Sequence, residues 1–239
     1  MFKGTEIWGH RGALAYSPEN TLDSFKMAVD MGAVGVELDV QLSKDGEVVA
    51  IHDEKVDRTT DGKGFVKDFS FAELKKWQVP SLAEVFELLS NSDIAINVEL
   101  KTDIIFYAGI EEKALNIAAK HGMMNRVIWS SFNHYSMMRI KQLDKSAETA
   151  LLCGNGVIVT GEQCEAAGAA ALHPSFEQLH CPGLVEDCKK RGIKIRPYTI
   201  NTPEDLQLAF DLQVDAVITN YIDRAYEVKN KNNRGVQTI

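Results

Sequence analysis

The sequence predicts an α/β fold: a TIM (β/α)8 barrel with a small insertion after the second strand and that strand's hairpin arm. Three observations carry this. Short apolar runs alternate with amphipathic stretches of helical spacing along the whole chain, the pattern of βα units whose parallel sheet is wrapped by helices. The runs number nine, one more than an eight-stranded barrel needs. The surplus run follows an Asp-Gly pair, the strongest short-range hairpin signal, and so reads as a hairpin arm.

In chain order the strand candidates are "EIWGH", "VGVELDV", "EVVAIHD", "IAINVEL", "RVIWSSF", "ETALLC", "AAALHP", "IKIRPYT" and "DAVITN". Between them, Leu22, Phe25 and Val29, or Leu82, Val85, Leu88 and Leu89, recur at the three-to-four-residue spacing of a helix face. Asn20-Thr21, Pro80-Ser81 and Thr202-Pro203 mark helix starts, while Gly122 and Gly192 close helices after His121 and Arg191. The surplus run "EVVAIHD" follows Lys44-Asp45-Gly46. A two-residue turn at Asp45-Gly46 sets Leu42 opposite Val49, Val40 opposite Ile51 and Asp39 opposite His52. Apolar then meets apolar on one side, and Glu37, Asp39, Gln41 and His52 share the other. Residues from about 54 to 79, with "DRTTDGKG", lack periodicity and form the insertion. The tail "KNKNNRGVQTI" is polar and expected to fray. No repeat or long linker divides the chain, which is expected to be one domain over residues 1–239.

Hydrophobic content of 45% and charged content of 25% suit a soluble protein with a substantial core. A net charge of −8 speaks against nucleic acid or an anionic membrane as the main partner. No apolar run reaches the roughly 18 residues of a membrane span, and "MFKGTEIWGHRG" contains no signal-peptide core. Cys153, Cys164, Cys181 and Cys188 match no zinc spacing, alone or with His180. They read as reduced thiols of a cytoplasmic protein.

In such a barrel the working residues sit at the C-terminal strand ends. Strand one ends in His10-Arg11. Glu37 and Asp39 share one face of strand two, and its arm brings His52. "NVELK" places Glu99 and Lys101 on one face. Each signal alone is weak, since an ExD pair is usually solvated and a strand-end lysine usually an ordinary cap. Their shared placement carries the argument. Three gathered carboxylates need a shared proton or cation, and oxygen donors suit a hard divalent ion, calcium or magnesium, better than zinc. That ion, with Arg11 and Lys101, makes a positive pocket fit for a phosphodiester. Two histidines can serve as general base and general acid, each contributing typically about 10²–10⁴-fold.

With these residues, "PENTLDSF", "GVELDVQLSKDGEVVAIHD", "DRTTDGKG", "VPSLAEVFELL", "SSFN", "YTIN" and "AVITNY", the chain resembles the glycerophosphodiester phosphodiesterase family in its bacterial, cytoplasmic form. The resemblance implies a metal-dependent hydrolase that splits glycerophosphodiesters, the deacylated phospholipids, into an alcohol and sn-glycerol 3-phosphate. It implies catalytic roles for His10 and His52, phosphate contacts for Arg11 and Lys101, and metal ligation by Glu37, Asp39 and Glu99. It also implies that the insertion helps shape the substrate pocket. Tyr198 stands where the family usually has tryptophan; it keeps an aromatic wall over the glycerol and adds a hydroxyl able to reach the polyol or phosphate. Related spider-venom sphingomyelinases D are secreted and disulfide-bonded, and fit this chain poorly. A lysophospholipase D-like activity would need an apolar groove at the mouth, and the sequence marks no exposed apolar helix or anchor. A noncatalytic polyol-phosphate-binding barrel would need the cations but not the histidines and carboxylates. His121 reads as a helix-end cation, Trp77 and Trp129 as packing residues, and Phe132 as a residue of the pocket rim. The head group, the ion, the first nucleophile, the division of labour between the histidines and homo-oligomerisation stay open.

Overall fold

A computed structural model describes residues 4–154 and 159–235, with side chains through Lys231. Among the described residues nine strands form: β1 (Glu6–Gly9), β2 (Gly35–Leu42), β3 (Val48–Ala50), β4 (Ala95–Leu100), β5 (Val127–Ser131), β6 (Glu148–Cys153), β7 (Ala171–Pro174), β8 (Lys194–Ile195) and β9 (Ala216–Thr219). Their order is β8-β7-β6-β5-β4-β2-β1-β9, all parallel, with β3 hanging antiparallel from β2. This is the predicted TIM barrel, hairpin arm included.

Between β8 and β9 the barrel is closed by single bonds rather than a continuous ladder. Asp215 N donates to Ile195 O (2.9 Å), Ile218 N to Pro197 O (3.0 Å) and Ile200 N to Ile218 O (2.9 Å). The strand expected through Thr199 is regular only at Lys194–Ile195 because Pro197 has no N–H to offer the neighbouring strand.

The helices on the outside are α1 (Leu22–Asp30), α2 (Phe71–Leu74), α3 (Leu82–Leu89), α4 (Ile110–Lys120), α5 (His134–Leu143), α6 (Gly161–Ala166), α7 (Leu184–Arg191), α8 (Pro203–Asp211) and α9 (Ile222–Gly235). Predicted caps do their work: the Thr21 hydroxyl accepts from Ser24 N, and Ser81 forms a reciprocal box with Glu84. Thr202 caps α8 ahead of Pro203, and Gly192 ends α7 in the left-handed region. On α3 the buried stripe is Leu82, Val85, Phe86 and Leu89, each worth roughly 1.5–3 kcal/mol of burial. Leu88, expected on that face, is at the solvent boundary, and Phe86 takes the place four residues after Leu82. The polar tail is helical through Gly235; residues 236–239 lie outside those described.

The hairpin register differs from expectation by one residue. Val40 faces Ala50, Gln41 faces Val49 and Leu42 faces Val48. The turn has three residues, Lys44-Asp45-Gly46, closed by Ser43 N to Glu47 O (2.9 Å), with Gly46 at φ +80°. Asp-Gly serves this left-handed three-residue turn as well as the two-residue one. Apolar still meets apolar, but Gln41 turns its amide onto the carbonyls of Ile51, His52 and Asp53 (3.1, 3.0 and 2.7 Å). It thereby fixes the chain that presents His52.

After Asp53 the insertion folds as three 3-10 turns (Val56–Arg58, Val66–Asp68, Lys75–Trp77) and α2. These are too short for periodicity to show in sequence. They enclose a small core of Val49, Ile51, Val56, Val66, Leu74 and Val79. Among the described residues, no helix is long and apolar enough to cross a membrane.

Candidate active site

The turn after β1 explains its own sequence. His10 N donates to Thr219 O (2.9 Å), continuing the barrel, and the chain then reverses through Arg11 and Gly12 at φ +51° and +85°. A Cβ on Gly12 would lie 2.4 Å from Ser24 Oγ, so only glycine lets the turn pack on α1. The Arg11 side chain is thereby directed across the mouth of the barrel.

Glu37 and Asp39 from β2 and Glu99 from β4 converge. All three are buried, and each offers a carboxylate oxygen within 4.8 Å of the others. One oxygen of each is held by a donor. Arg11 N donates to Glu37 Oε2 (2.9 Å), Asn20 Nδ2 to Asp39 Oδ2 (2.9 Å) and Lys101 Nζ to Glu99 Oε1 (2.9 Å). Arg11 Nε lies 3.2 Å from Asp39 Oδ2.

Burial and the charges of Asp39 and Glu99 push the Glu37 carboxyl well up; burial and Asp39 push Glu99 up to about 7. Burial also works against the Asp39 charge, but Arg11 above all holds this carboxyl below its usual value. Such a group binds a cation well, because a dication restores the ionised state of all three. The spacing agrees: oxygens on opposite sides of a hard ion lie about 4–5 Å apart, twice the usual metal–oxygen distance. The donor set therefore fits calcium or magnesium.

Two imidazoles flank the carboxylates. His10 Nδ1 lies 2.7 Å from Asn220 Oδ1, so with the amide in this orientation Nδ1 carries the hydrogen and Nε2 is left as an acceptor, 3.9 Å from Glu37. Burial, then Arg11, pushes His10 down to about 4. His52 Nδ1 sits 2.7 Å from Asp53 Oδ1, and its Nε2 is 3.5 Å from Lys101 Nζ. Burial opposes the Lys101 charge, but Glu99 and Asp39 raise its pKa above the ordinary value.

All eight residues singled out from sequence thus lie at the C-terminal end of the barrel. Tyr198 forms the far wall, edge-on to Phe132 with ring centres 6.1 Å apart. Its hydroxyl, expected to face the substrate, donates to Cys153 O (2.9 Å) and keeps only acceptor capacity. Phe132 is exposed at the rim, its ring 5.8 Å from Lys101 Nζ.

Sequence reasoning passed over Glu19, Asn20, Asp53, Arg58 and Asn220, although "PENTLDSF", "IHD", "DRTTDGKG" and "AVITNY" all contain them. Glu19, Asn20 and His52 also line a cleft of about 390 Å³ between the β1–α1 loop and the insertion, walled by Leu14, Thr60 and Trp77.

Among the described residues, His180, Cys181 and Cys188 form no metal-ligand group. Burial pushes the Cys153 and Cys164 thiols up to about 12, which keeps them protonated. His173 is buried inside the barrel, edge-on to Trp8, and His134 opens α5 with Nε2 2.9 Å from Leu152 O.

The model of the glycerophosphoryl diester phosphodiesterase family matches residues 10–224. The chain belongs to this family. A glycerophosphodiester phosphodiesterase of Caldanaerobacter subterraneus is 42% identical over 229 residues, covering 90% of this chain and 94% of the relative. The crystal structure of the Thermotoga maritima glycerophosphodiester phosphodiesterase is similar at 30% identity and a TM-score of 0.82, covering 96% of this chain and 100% of that one. An Oleispira antarctica phosphodiesterase in complex with the product sn-glycerol-3-phosphate is similar at 27% identity and a TM-score of 0.82, over 95% and 97% of the two chains. As a glycerophosphoryl diester phosphodiesterase family member, the protein is a phosphoric diester hydrolase.

Proposed function

We propose that the protein hydrolyses water-soluble glycerophosphodiesters to sn-glycerol 3-phosphate and an alcohol, with a divalent ion held by Glu37, Asp39 and Glu99. The observation that carries this reading is the group of three buried carboxylates beside two cations and two imidazoles. When bound, calcium or magnesium supplies charge neutralisation and Lewis acidity at the phosphoryl oxygens. Arg11 and Lys101 bind the nonbridging oxygens and orient the phosphate, and Tyr198 and Phe132 wall the glycerol.

His10, partly buried and neutral with a bare Nε2, takes the proton from the attacking oxygen, either water or the neighbouring glycerol hydroxyl, the latter giving a cyclic phosphate that water then opens to sn-glycerol 3-phosphate. His52, whose Nδ1 is held by Asp53, gives a proton to the departing alkoxide. The cleft that shares His52 receives the departing alcohol's head group.

A second reading has its own support. Ile104 (69% exposed) and Phe106 (77%) in the loop after β4, with Tyr135 (78%) at the start of α5, stand at the mouth end of the barrel. These are the apolar anchors the sequence did not mark, and they favour turnover of lysophospholipids. Choline release, which both substrates give on phosphodiester cleavage, is therefore measured from glycerophosphocholine and from lysophosphatidylcholine, with and without EDTA. Chelator-sensitive release from the first substrate supports the main reading. Faster turnover of the second supports the alternative, turnover that persists in EDTA removes the ion, and no turnover of either leaves a noncatalytic binder.

A further inference from the structure

Arg58 belongs to the insertion and touches none of the carboxylates, imidazoles or cations placed at the centre. Its guanidinium nevertheless grips two carboxylates at once. Nε and Nη2 donate to Asp53 Oδ2 and Oδ1 (2.7 and 3.0 Å). Nη1 and Nη2 donate to Glu19 Oε2 and Oε1 (2.8 and 2.7 Å). Asp53 in turn bonds His52 Nδ1 (2.7 Å), and Glu19 accepts from Arg11 Nη1 (2.9 Å). A continuous chain, His52–Asp53–Arg58–Glu19–Arg11, thus runs across the rim.

We propose that Arg58 is a positioning residue that fixes the orientation of His52 through Asp53 and so ties the insertion to the reaction.

The side chains of His52 and Asp53 are about 30% exposed, so water competes for a lone Asp–His bond at this place. A carboxylate held on both oxygens by a planar fork cannot rotate away, and the ring it holds cannot either. The four bonds also leave the insertion instead of bracing its interior. The insertion is anchored independently by its core on Val49 and Ile51, and by Lys44 N to Phe69 O (2.8 Å) and Phe71 N to Asp45 Oδ1 (2.9 Å). Removing the Arg58 side chain therefore leaves the fold in place. The inference rests on the reading of His52 as a proton-moving group.

The test compares Arg58→Ala, Arg58→Lys, Asp53→Asn and the Arg58→Ala/Asp53→Asn pair on glycerophosphocholine, beside glycerol 3-phosphate affinity by calorimetry. Arg58→Ala is expected to lower kcat by about 10–100-fold with KM and product affinity changed by no more than about threefold. Arg58→Lys recovers part of the loss, because one ammonium can hold one carboxylate but not fork two. The double variant is no slower than the worse single one, since both act through one bond. A kcat for Arg58→Ala within about twofold of the parent, or losses that multiply in the double variant, overturns the proposal. Should the parent itself release no glycerol 3-phosphate, the functional reading fails separately, and the crystal structure of Arg58→Ala decides. The proposal stands if Asp53 and His52 have turned, and falls if they keep their places.

Discussion

Replacing Asn20 by alanine probes the support beneath the carboxylates. Asn20 is buried and left-handed, at φ +55°. Its amide clasps Asp39 reciprocally: Nδ2 donates to Asp39 Oδ2 (2.9 Å), and Oδ1 accepts from Asp39 N (3.2 Å). Losing the bond to an ionised carboxylate costs about 1.5–3 kcal/mol, and the stranded Asp39 N–H costs about 1–3 kcal/mol. Holding alanine in the left-handed region costs about 1–2 kcal/mol, whereas asparagine tolerates it. The three losses concern one pair of residues and are not additive, so we expect about 3–5 kcal/mol in total. In a chain of this length that lowers Tm by on the order of 10 °C. Urea unfolding of the parent, Asn20→Ala and Asn20→Gly measures it. Glycine restores the backbone freedom but neither hydrogen bond, so it should recover only about 1 kcal/mol of the loss. With Asp39 released, divalent-ion affinity should also fall about tenfold or more. A loss under about 1 kcal/mol in Asn20→Ala would refute the claim that Asn20 fixes Asp39.

Other expectations concern the barrel interior. A Cβ on Gly35 would lie 2.4–2.5 Å from the Trp8 indole, which Arg196 covers at 4.7 Å. Gly35→Ala should therefore cost about 3 kcal/mol, and adding Trp8→Leu should return part of it; equal stability of parent and Gly35→Ala in urea would contradict this packing. Burial works against the Glu148 charge, but its hydrogen bond to Arg196 Nη2 (2.6 Å) and the Lys194 ammonium hold the carboxyl below its usual value. The stabilisation from a depressed carboxyl is present above its unfolded pKa and is lost as pH falls through the folded one. The stability gap between parent and Glu148→Gln should thus be wide at neutral pH and close below about pH 4; a gap constant with pH would exclude the ion pair as its source.

The barrel was legible because its signals are local. Apolar runs, caps at Thr21 and Ser81, and stop glycines such as Gly192 declare themselves within a few residues, and strand ends then nominate His10, Glu37, Asp39 and Glu99. The register of the β2–β3 hairpin was not legible to the last residue, since Asp45-Gly46 suits turns of two lengths and the slip exchanges the partner of Val40. Arg58 escaped notice for another reason. Its carboxylate Glu19 is 39 positions away, and the bond exists only once the aperiodic insertion has folded back over the β1–α1 loop. Asn20 reads in sequence as part of a helix start; that its amide reaches Asp39 follows from a left-handed backbone that sequence spacing does not reveal. The same holds for Ile104 and Phe106, whose apolar character suggests interior packing although they stand in solvent.

The most direct measurement is anomalous diffraction from a crystal soaked in manganese, a hard ion suited to the same oxygen donors. The account predicts one strong peak within about 2.0–2.4 Å of oxygens from Glu37, Asp39 and Glu99 together, absent from a Glu99→Gln crystal treated alike. A fully ordered site with no peak there, or a peak that touches only one of the three, would contradict it.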